Sequence, residues 1–599
     1  MMKFRLILIF CLVSFASAYA QSVKISGVVS DPAGLPIELA TVQVKGSMNG
    51  TMTDAKGKYT LSVGKSDSLN IVFSCLGYSK TEIALLELQE DRVLNVRMRA
   101  QSYELETAVI KASRIQTNTM ERISQGQGRL SVDATGGSIE SFVMTAGTGV
   151  SSTNELSTQY SVRGGNYNEN IVYVNGIEVY RPLLIRSGQQ EGLSFINPDL
   201  TESVQFSSGG FESRYGDKMS SVLDILYKKP DKLEGGVMGS LLGGNAYLGS
   251  ASGKFTQITG FRYKRGTLLL NTLETKGKTD EDDNEKPAFD PTAIDLQTHM
   301  TYTFTSKLSL SFLGNYSENI YNLNPGTRET SWGAGLSNRR KFTAYYDGME
   351  KDRFRTLFGA ATLKYDVAEH AEVALQVSGF QSREDESYDI AGEYWISNVK
   401  EEDEDIIGTG LFHKHARNQL YSEVLNASLL GTVGFNQHTV RGSIGIQKEM
   451  IRDRISEWEL QDSAGFSLPY NEEAMMMYSS LFSDSRMESS RFFGYVQDTY
   501  KFRSDAGLFS LTAGIRGSYW NYNDEFIFSP RASLGFVPSK NQHFTFRFAT
   551  GVYYQSPFYR EFRIIGEDEN GNGTITSNQK IRSQRSIHFV LGRDRKSVV

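Results

Sequence analysis

The chain has 599 residues, with 34 Phe, 30 Tyr and 56 Gly against 12 Pro, and a formal net charge of −6. That length exceeds one ordinary core, and the glycine and aromatic enrichment favours strands and turns over helical bundles. An acidic balance with no basic block argues against nucleic acid as a partner.

The opening MMKFRLILIFCLVSFASAYAQ places Lys3 and Arg5 before an apolar run from Leu6 to Val13, then Ala18-Tyr19-Ala20 before Gln21. This three-part pattern assigns residues 1–20 to a secretory leader, with a short buried strand as the alternative. Losing Lys3 and Arg5 takes the charge from −6 to −8, and losing Cys11 leaves Cys75 with no intrachain disulfide partner. No later apolar run reaches the roughly 18 residues that a membrane-crossing helix needs. A secreted, strand-rich chain of this kind is a soluble β protein or an outer-membrane barrel.

Residues 21–100 read as a small β-sandwich. VKISGVV, ATVQVKG, GKYTLSV, LNIVFSCLGY and RVLNVRM are short period-two runs, separated by turn chemistry such as Asp54-Ala55-Lys56-Gly57. Residues 101–118 form a connector, and ETAVI within it (Glu106, Thr107, Ala108, Val109, Ile110) suits an extended segment that lends its backbone to a partner's sheet edge. An ordinary strand of a neighbouring domain is the alternative there.

Residues 119–230 carry one predicted helix, SIESFVMTA, with Ile139, Phe142, Val143 and Ala146 at i, i+3, i+4 and i+7. Arg163-Gly164-Gly165 follows, then IVYV, Asn175-Gly176 and IEVY, the pattern of a hairpin with a type I′ turn. Gly209-Gly210-Phe211 and Arg214-Tyr215-Gly216 come next.

From 231 to 599 the pattern is alternation. Phe509, Leu511, Ala513, Ile515 and Tyr519 share one face of a strand, and Ser510, Thr512, Arg516 and Ser518 share the other. A membrane barrel and a soluble sandwich both alternate in this way, so the connections decide. Short gaps near 305–307, 367–370, 431–435, 504–507 and 538–541 interleave with long polar ones near 319–355, 382–419, 448–488 and 553–581. Brief turns at one end and extended loops at the other point to a barrel.

The ordered motifs of 119–230 closely resemble the plug of TonB-dependent receptors, with Thr148-Gly149-Val150 where that family often has Pro-Gly-Val. LETAVIKASR resembles the TonB box, and 21–100 resembles the carboxypeptidase regulatory-like domains that precede such receptors. The resemblance implies a mainly β chain: an N-terminal β-sandwich, an α+β plug and an antiparallel transmembrane β-barrel. It implies outer-membrane import of a scarce nutrient (siderophore, cobalamin, glycan or peptide), driven by a TonB-type periplasmic transducer, with outer-membrane lipid around the barrel and a surface lipoprotein as a further partner. A receptor acting mainly in signalling is the alternative. Arg163 is expected to pair with carboxylates of the barrel wall, and Gly164 and Gly165 to supply backbone conformations closed to other residues. About 12 to 14 strands are countable against about 22 in the resembled barrels, so an incomplete barrel with unpaired first and last strands is expected.

No enzyme motif and no cofactor site is evident. Gly277-Lys278-Thr279 lacks the glycine that a phosphate loop needs at 272, which is Thr272. His413 and His415 could share a strand face but read as surface residues. Asp568, Asn570, Asn572 and Gly573 match the early positions of a calcium loop, with Gln579 where a bidentate carboxylate belongs. A glycine-asparagine loop tip is the favoured reading of that stretch.

Overall fold

The computed structural model describes residues 22–31, 34, 36–38, 40–45, 47, 49–75, 81–98, 119–123, 138–152, 159–180, 194–240, 243–265, 288–333, 339–399, 404–462, 475–540, 544–567 and 573–595. They belong to two units, Met1–Gln116 and Thr117–Val599.

In the first unit, Ser22–Ser30 pairs antiparallel with Lys58–Gly64 and parallel with Arg92–Val93 and Val96–Arg97. The facing sheet runs Gly50–Met52, Thr41–Val44, Ser66–Ser74, Thr81–Leu88. Period-two side chains fill the space between: Val23, Ile25, Val42, Leu61, Val63, Ile71 and Phe73 form one buried cluster. The predicted turn is present, with Gly57 N donating to Asp54 O at 2.8 Å and Asp54 Oδ1 accepting from the backbone of Lys56 and Lys58. Gly57 sits at φ +71, and a Cβ there would lie 2.5 Å from Val29 O.

The second unit opens with the plug, whose five-stranded sheet runs Ile177–Glu178, Asn170–Val174, Ser221–Tyr227, Thr201–Ser207, Glu121–Ile123. Its middle strands pair in parallel and are buried on both faces, as their β-branched runs require. The predicted helix is Ile139–Ala146, capped by Ser138, whose Oγ accepts from Ser141 N at 3.0 Å. Asn175 (φ 53) and Gly176 (φ 74) make the hairpin turn, and both have the positive φ that type I′ demands.

Seventeen strands, from Glu234–Ser240 to Gln584–Arg595, then form one sheet in chain order. Fourteen are long neighbours; Arg328–Trp332, Arg563–Glu567 and Gly573–Ser577 are short inserts. The first and last strands do not pair with each other among the described residues. Leu511, Ile515, Tyr519, Phe546 and Phe548 are exposed, whereas Ser510, Thr512, Arg516, Ser518 and Thr545 are buried. Apolar side chains outside and polar ones inside invert the soluble sandwich, so the wall faces lipid.

Two expectations about connections are corrected. The turn placed near 431–435 lies at Asn436-Gln437, where Asn436 takes φ +52 and the strand before it runs on to Phe435. The polar stretches taken as long loops are mostly paired strand: Arg339–Ala368, Ala371–Val399, Glu404–Phe435, His438–Asp462 and Met476–Ser504 span 25 to 32 residues each. Beyond the lipid both faces of a strand meet water, so alternation disappears from the sequence while the backbone ladder continues.

Candidate functional site

The site is the seat of the plug in the wall. On one side it is apolar: Val172, Val174, Phe195 and Phe206 of the plug share a core with Ile258, Leu313, Phe358, Phe380 and Val424 of the wall. Phe195 meets Phe358 edge to face at 5.4 Å, and Tyr180 meets Phe380 at 5.6 Å.

Elsewhere the seat is polar. Arg262 donates to Ser194 O at 2.7 Å and Ile196 O at 2.8 Å while its Nε reaches Asp295 at 3.0 Å. Gln297 donates to Phe195 O and accepts from the Tyr227 hydroxyl. Across the lumen, Asp217 lies between Arg516 Nε at 3.3 Å and Arg491 Nη1 at 3.5 Å. Arg531 Nη1 donates to Glu212 O at 2.8 Å and Tyr215 O at 2.9 Å, and the Tyr553 hydroxyl donates to Phe211 O at 2.9 Å. Gln497 donates to Glu212 Oε2 at 3.0 Å and accepts from Arg214 N at 3.3 Å.

Electrostatics follow from this arrangement. Burial pushes the Asp217 carboxyl up, but Arg516 and Arg491 outweigh it and hold it below its ordinary value. Glu178 is raised, first by burial and then by Asp217, against the pull of Arg516. Burial brings Lys218 down to about 8, partly opposed by Glu178. Its Nζ donates to Asn168 O at 2.7 Å and lies 4.2 Å from the Phe558 ring centre.

Above the plug, carboxylates line the inner wall. A cavity of about 40 Å³ is bordered by Asp352, Glu384, Glu386 and Asp453, with Arg560 and Arg563 opposite them. Those arginines come from the segment after Gln555, which folds back so that Phe562 packs on Trp520, Leu420 and Ile451. Arg560 reaches Glu384 at 3.3 Å and Arg563 pairs with Asp453.

The predicted site residues divide as follows. Glu106, Thr107, Ala108, Val109 and Ile110 lie outside the described residues, as do Asp568, Asn570 and Asn572. Gly573 begins a strand paired antiparallel to Arg563–Glu567, and Gln579 lies in a turn beyond it. The expectation for Arg163 is corrected. Its Nη2 donates to Ser208 Oγ of the plug at 3.2 Å, and it meets no wall carboxylate among the described residues. Arg163 (φ 51) and Gly164 (φ 81) are the centre of a turn closed by Gly165 N to Val162 O at 2.9 Å. Gly165 is required by space: a Cβ would lie 2.1 Å from Ser220 Oγ.

Gly209 (φ +121) and Gly210 (φ +70) lie close against the wall. A Cβ on Gly210 would be 2.8 Å from Ala549 Cβ, and its N–H points at His588 Nδ1 at 3.3 Å. Arg214 is paired within the plug, with Glu212 at 3.4 Å and Asp224 at 3.7 Å, and stacks on Tyr215. The Tyr215 hydroxyl donates to Asp224 at 2.8 Å, and Gly216 N donates to the Tyr173 hydroxyl at 3.1 Å. Sequence reasoning missed Asp217, Arg491, Arg531 and Gln497, so the polarity expected across the interface is reversed: wall arginines hold plug acceptors. The alternation that put Arg516 on the polar face was the available signal.

Residues 25–110 match a CarboxypepD_reg-like domain, 110–221 a TonB-dependent Receptor Plug Domain, and 298–592 a TonB dependent receptor-like beta-barrel. Plug and barrel together take in more than half of the sequence, so the chain belongs to the TonB-dependent receptor family, outer-membrane β-barrel proteins and not a family of enzymes. It is similar to the TonB-dependent receptor SusC of Bacteroides thetaiotaomicron, 24% identical over 361 residues, 57% of this chain and 34% of that protein. It is also similar to the TonB-dependent receptor P39 of Formosa agariphila, 25% identical over 243 residues, 39% of this chain and 22% of the relative. The chain thus spans about a third or less of the curated relatives it matches. Among solved structures, the ferric enterobactin receptor PfeA of Pseudomonas aeruginosa matches at 12% identity and TM-score 0.49, over 80% of this chain and 69% of its own. The RagAB peptide transporter matches at 9% identity and TM-score 0.48, over 80% and 66%.

Proposed function

We propose that this chain imports a nutrient across the outer membrane by energised displacement of its plug, pulled by a TonB-type transducer through residues 106–110. One observation carries the reading: much of the seat is made of hydrogen bonds and ion pairs that water can replace, notably those of Arg262, Arg516 and Arg531. A purely apolar seat would be costly to expose each time the lumen opened, whereas charge-assisted bonds exchange with solvent at a small net cost. The cargo enters from the extracellular side, through the acidic vestibule beneath the Arg560–Arg563 segment, and a surface lipoprotein is a fitting partner at that mouth.

The test uses Val109→Pro, which removes one backbone donor from the segment that would add to the transducer's sheet. Cells carrying wild type or variant are compared for surface binding and uptake of a labelled ferric siderophore, cobalamin, a maltooligosaccharide and a mixed peptide digest. Import predicts one class whose uptake falls while its binding persists. Equal uptake by both strains rejects residues 106–110 as the coupling segment, and binding with no energised uptake in wild type favours signalling.

A further inference from the structure

Resting on the import reading above, we propose that Asp352, Glu384, Glu386, Asp453 and Phe354 bind the cargo, and that the cargo is an organic polycation carrying two or more ammonium or guanidinium groups. Arg560 and Arg563 hold its place until it arrives.

The register stacks these residues in rungs on the inner face of the wall. Phe358, Phe380 and Val424, opposite one another in turn, belong to the core shared with the plug. The next rung outward is Thr356, Ser382 and Ser422, followed by Phe354, Glu384, Leu420 and Asp453. Asp352, Glu386 and Asn418 form the rung after that. The period of two keeps all of them on one face, and the last two rungs border one cavity. Asp352 and Glu386 are directly opposite, and with Glu350 they bring carboxylate oxygens within 4.8 Å of one another. Like charges so placed repel across the ladder, and a cation between them relieves the repulsion.

Two further observations point to a ligand. The hydroxyls of Thr356, Ser382 and Ser422, residues at most 3% exposed, have no hydrogen-bond partner among the described residues. A buried hydroxyl left so is costly, and each can accept from an N–H brought to it. The chain also supplies its own occupants. Arg563 pairs with Asp453 and lies over the Tyr559 ring at 5.1 Å, and Arg560 reaches Glu384 at 3.3 Å. A carboxylate beside an aromatic face recognises guanidinium and ammonium groups alike. The wall has its own such ring in Phe354, held edge to face by Tyr321 at 5.7 Å. Four carboxylates border the cavity against two arginines, so negative charge is in surplus even with both arginines seated. The space left beside them is about 40 Å³, room for a few waters, so a larger ligand enters only as they leave. The Arg560 side chain is 41% exposed, and an ion pair so open to water exchanges readily. A polycation replaces like with like and never leaves the carboxylates bare. A neutral polyol would break the pairs without replacing their charge, and an anion would be repelled.

The experiment uses the full chain purified in detergent at neutral pH and low salt, where charge pairing is least screened. A tri-arginine peptide, spermine, a tri-glutamate peptide, maltoheptaose and calcium chloride are each titrated by calorimetry. One equivalent of tri-arginine or of spermine is expected, and none of tri-glutamate. Tri-arginine alone marks a basic peptide as the source of the charge, and spermine alone a polyamine. Affinity for the cation should fall about tenfold or more in the Asp352→Asn/Glu386→Gln double variant. It should rise roughly two- to fivefold in Arg560→Gln, because the competing guanidinium is gone. Arg353→Gln removes the same charge from the opposite face of its strand and should change nothing. An unchanged melting temperature confirms that each variant folds, and Arg560→Gln alone decides if the double variant does not. Absence of binding by both cations, or equal affinity in wild type and the double variant, overturns the site. So does binding of calcium or maltoheptaose where neither cation binds. Cells separate this site from import. Binding of a labelled cation without uptake keeps the site and removes the import reading, whereas energised uptake of another class with no cation bound does the reverse.

Discussion

The N-terminal sandwich and the plug are both small sheet domains, yet they are held in different ways. The sandwich closes its core with its own side chains, Ile25, Ile71 and Phe73 among them, all at 0% exposure. The plug shares its core with the wall and completes its contacts through Arg262, Arg516 and Arg531. A domain with a private core folds once and stays folded. A domain whose partner supplies part of its core and some of its ionic contacts has a stability that depends on where it sits.

The sharpest way to break this comparison is Phe73→Ala, which should cost the sandwich about 4 kcal/mol through the cavity it leaves. Hydrogen exchange should show lost protection across Ser66–Ser74 with none lost in Asn170–Val174; loss in both would mean that the two cores are coupled. Arg516→Met is the converse. Removing one of the two arginines that hold Asp217 leaves a buried carboxylate poorly compensated, at about 3 kcal/mol. Protection should then fall at Asn170–Val174 and Ser221–Tyr227 and stay unchanged in the sandwich.

Of these two contrasts, the sandwich core was legible in the sequence and the plug's seat was not. Period-two runs identify Ile25 and Leu61 as inward because each strand carries its own pattern. Asn175-Gly176 was legible for the same reason: a two-residue turn is a local matter. Arg163 was misread because its motif announces a charge but not a partner, and the structure uses it as a turn residue instead. Asp217 and Arg491 are 274 residues apart in the chain and meet only through the register of the wall, which no short window contains. The long strands were read as loops because solvent on both faces removes the one signal that marks a strand.

A pH dependence separates the two domains further. Lys218 ionises less readily in the seated plug, at about 8 against 10.5 in the unfolded chain, because burial disfavours its charge and Glu178 only partly offsets this. The penalty, up to about 3 kcal/mol, is full below pH 8 and fades as pH rises toward 10.5, where the unfolded chain also loses the proton. Plug stability from this residue therefore increases over that window, and Lys218→Met should flatten the increase in a urea titration followed by plug protection. The smallest expected effect is Tyr553→Phe, which removes the bond to Phe211 O and should loosen the plug by about 1 kcal/mol. A change of several kcal/mol there would mean that this hydroxyl, and not the ring stack on His588 at 4.1 Å that Phe retains, is the principal anchor.

The strands of 25 to 32 residues have a consequence for life at a crowded cell surface. At about 3.3 Å per residue, a 29-residue strand is roughly 95 Å long, several times what the hydrocarbon layer needs. The paired wall therefore continues well above the lipid headgroups. On the import reading proposed above, a solute would meet the carboxylates of Asp352, Glu384, Glu386 and Asp453 on this inner wall before it met the plug.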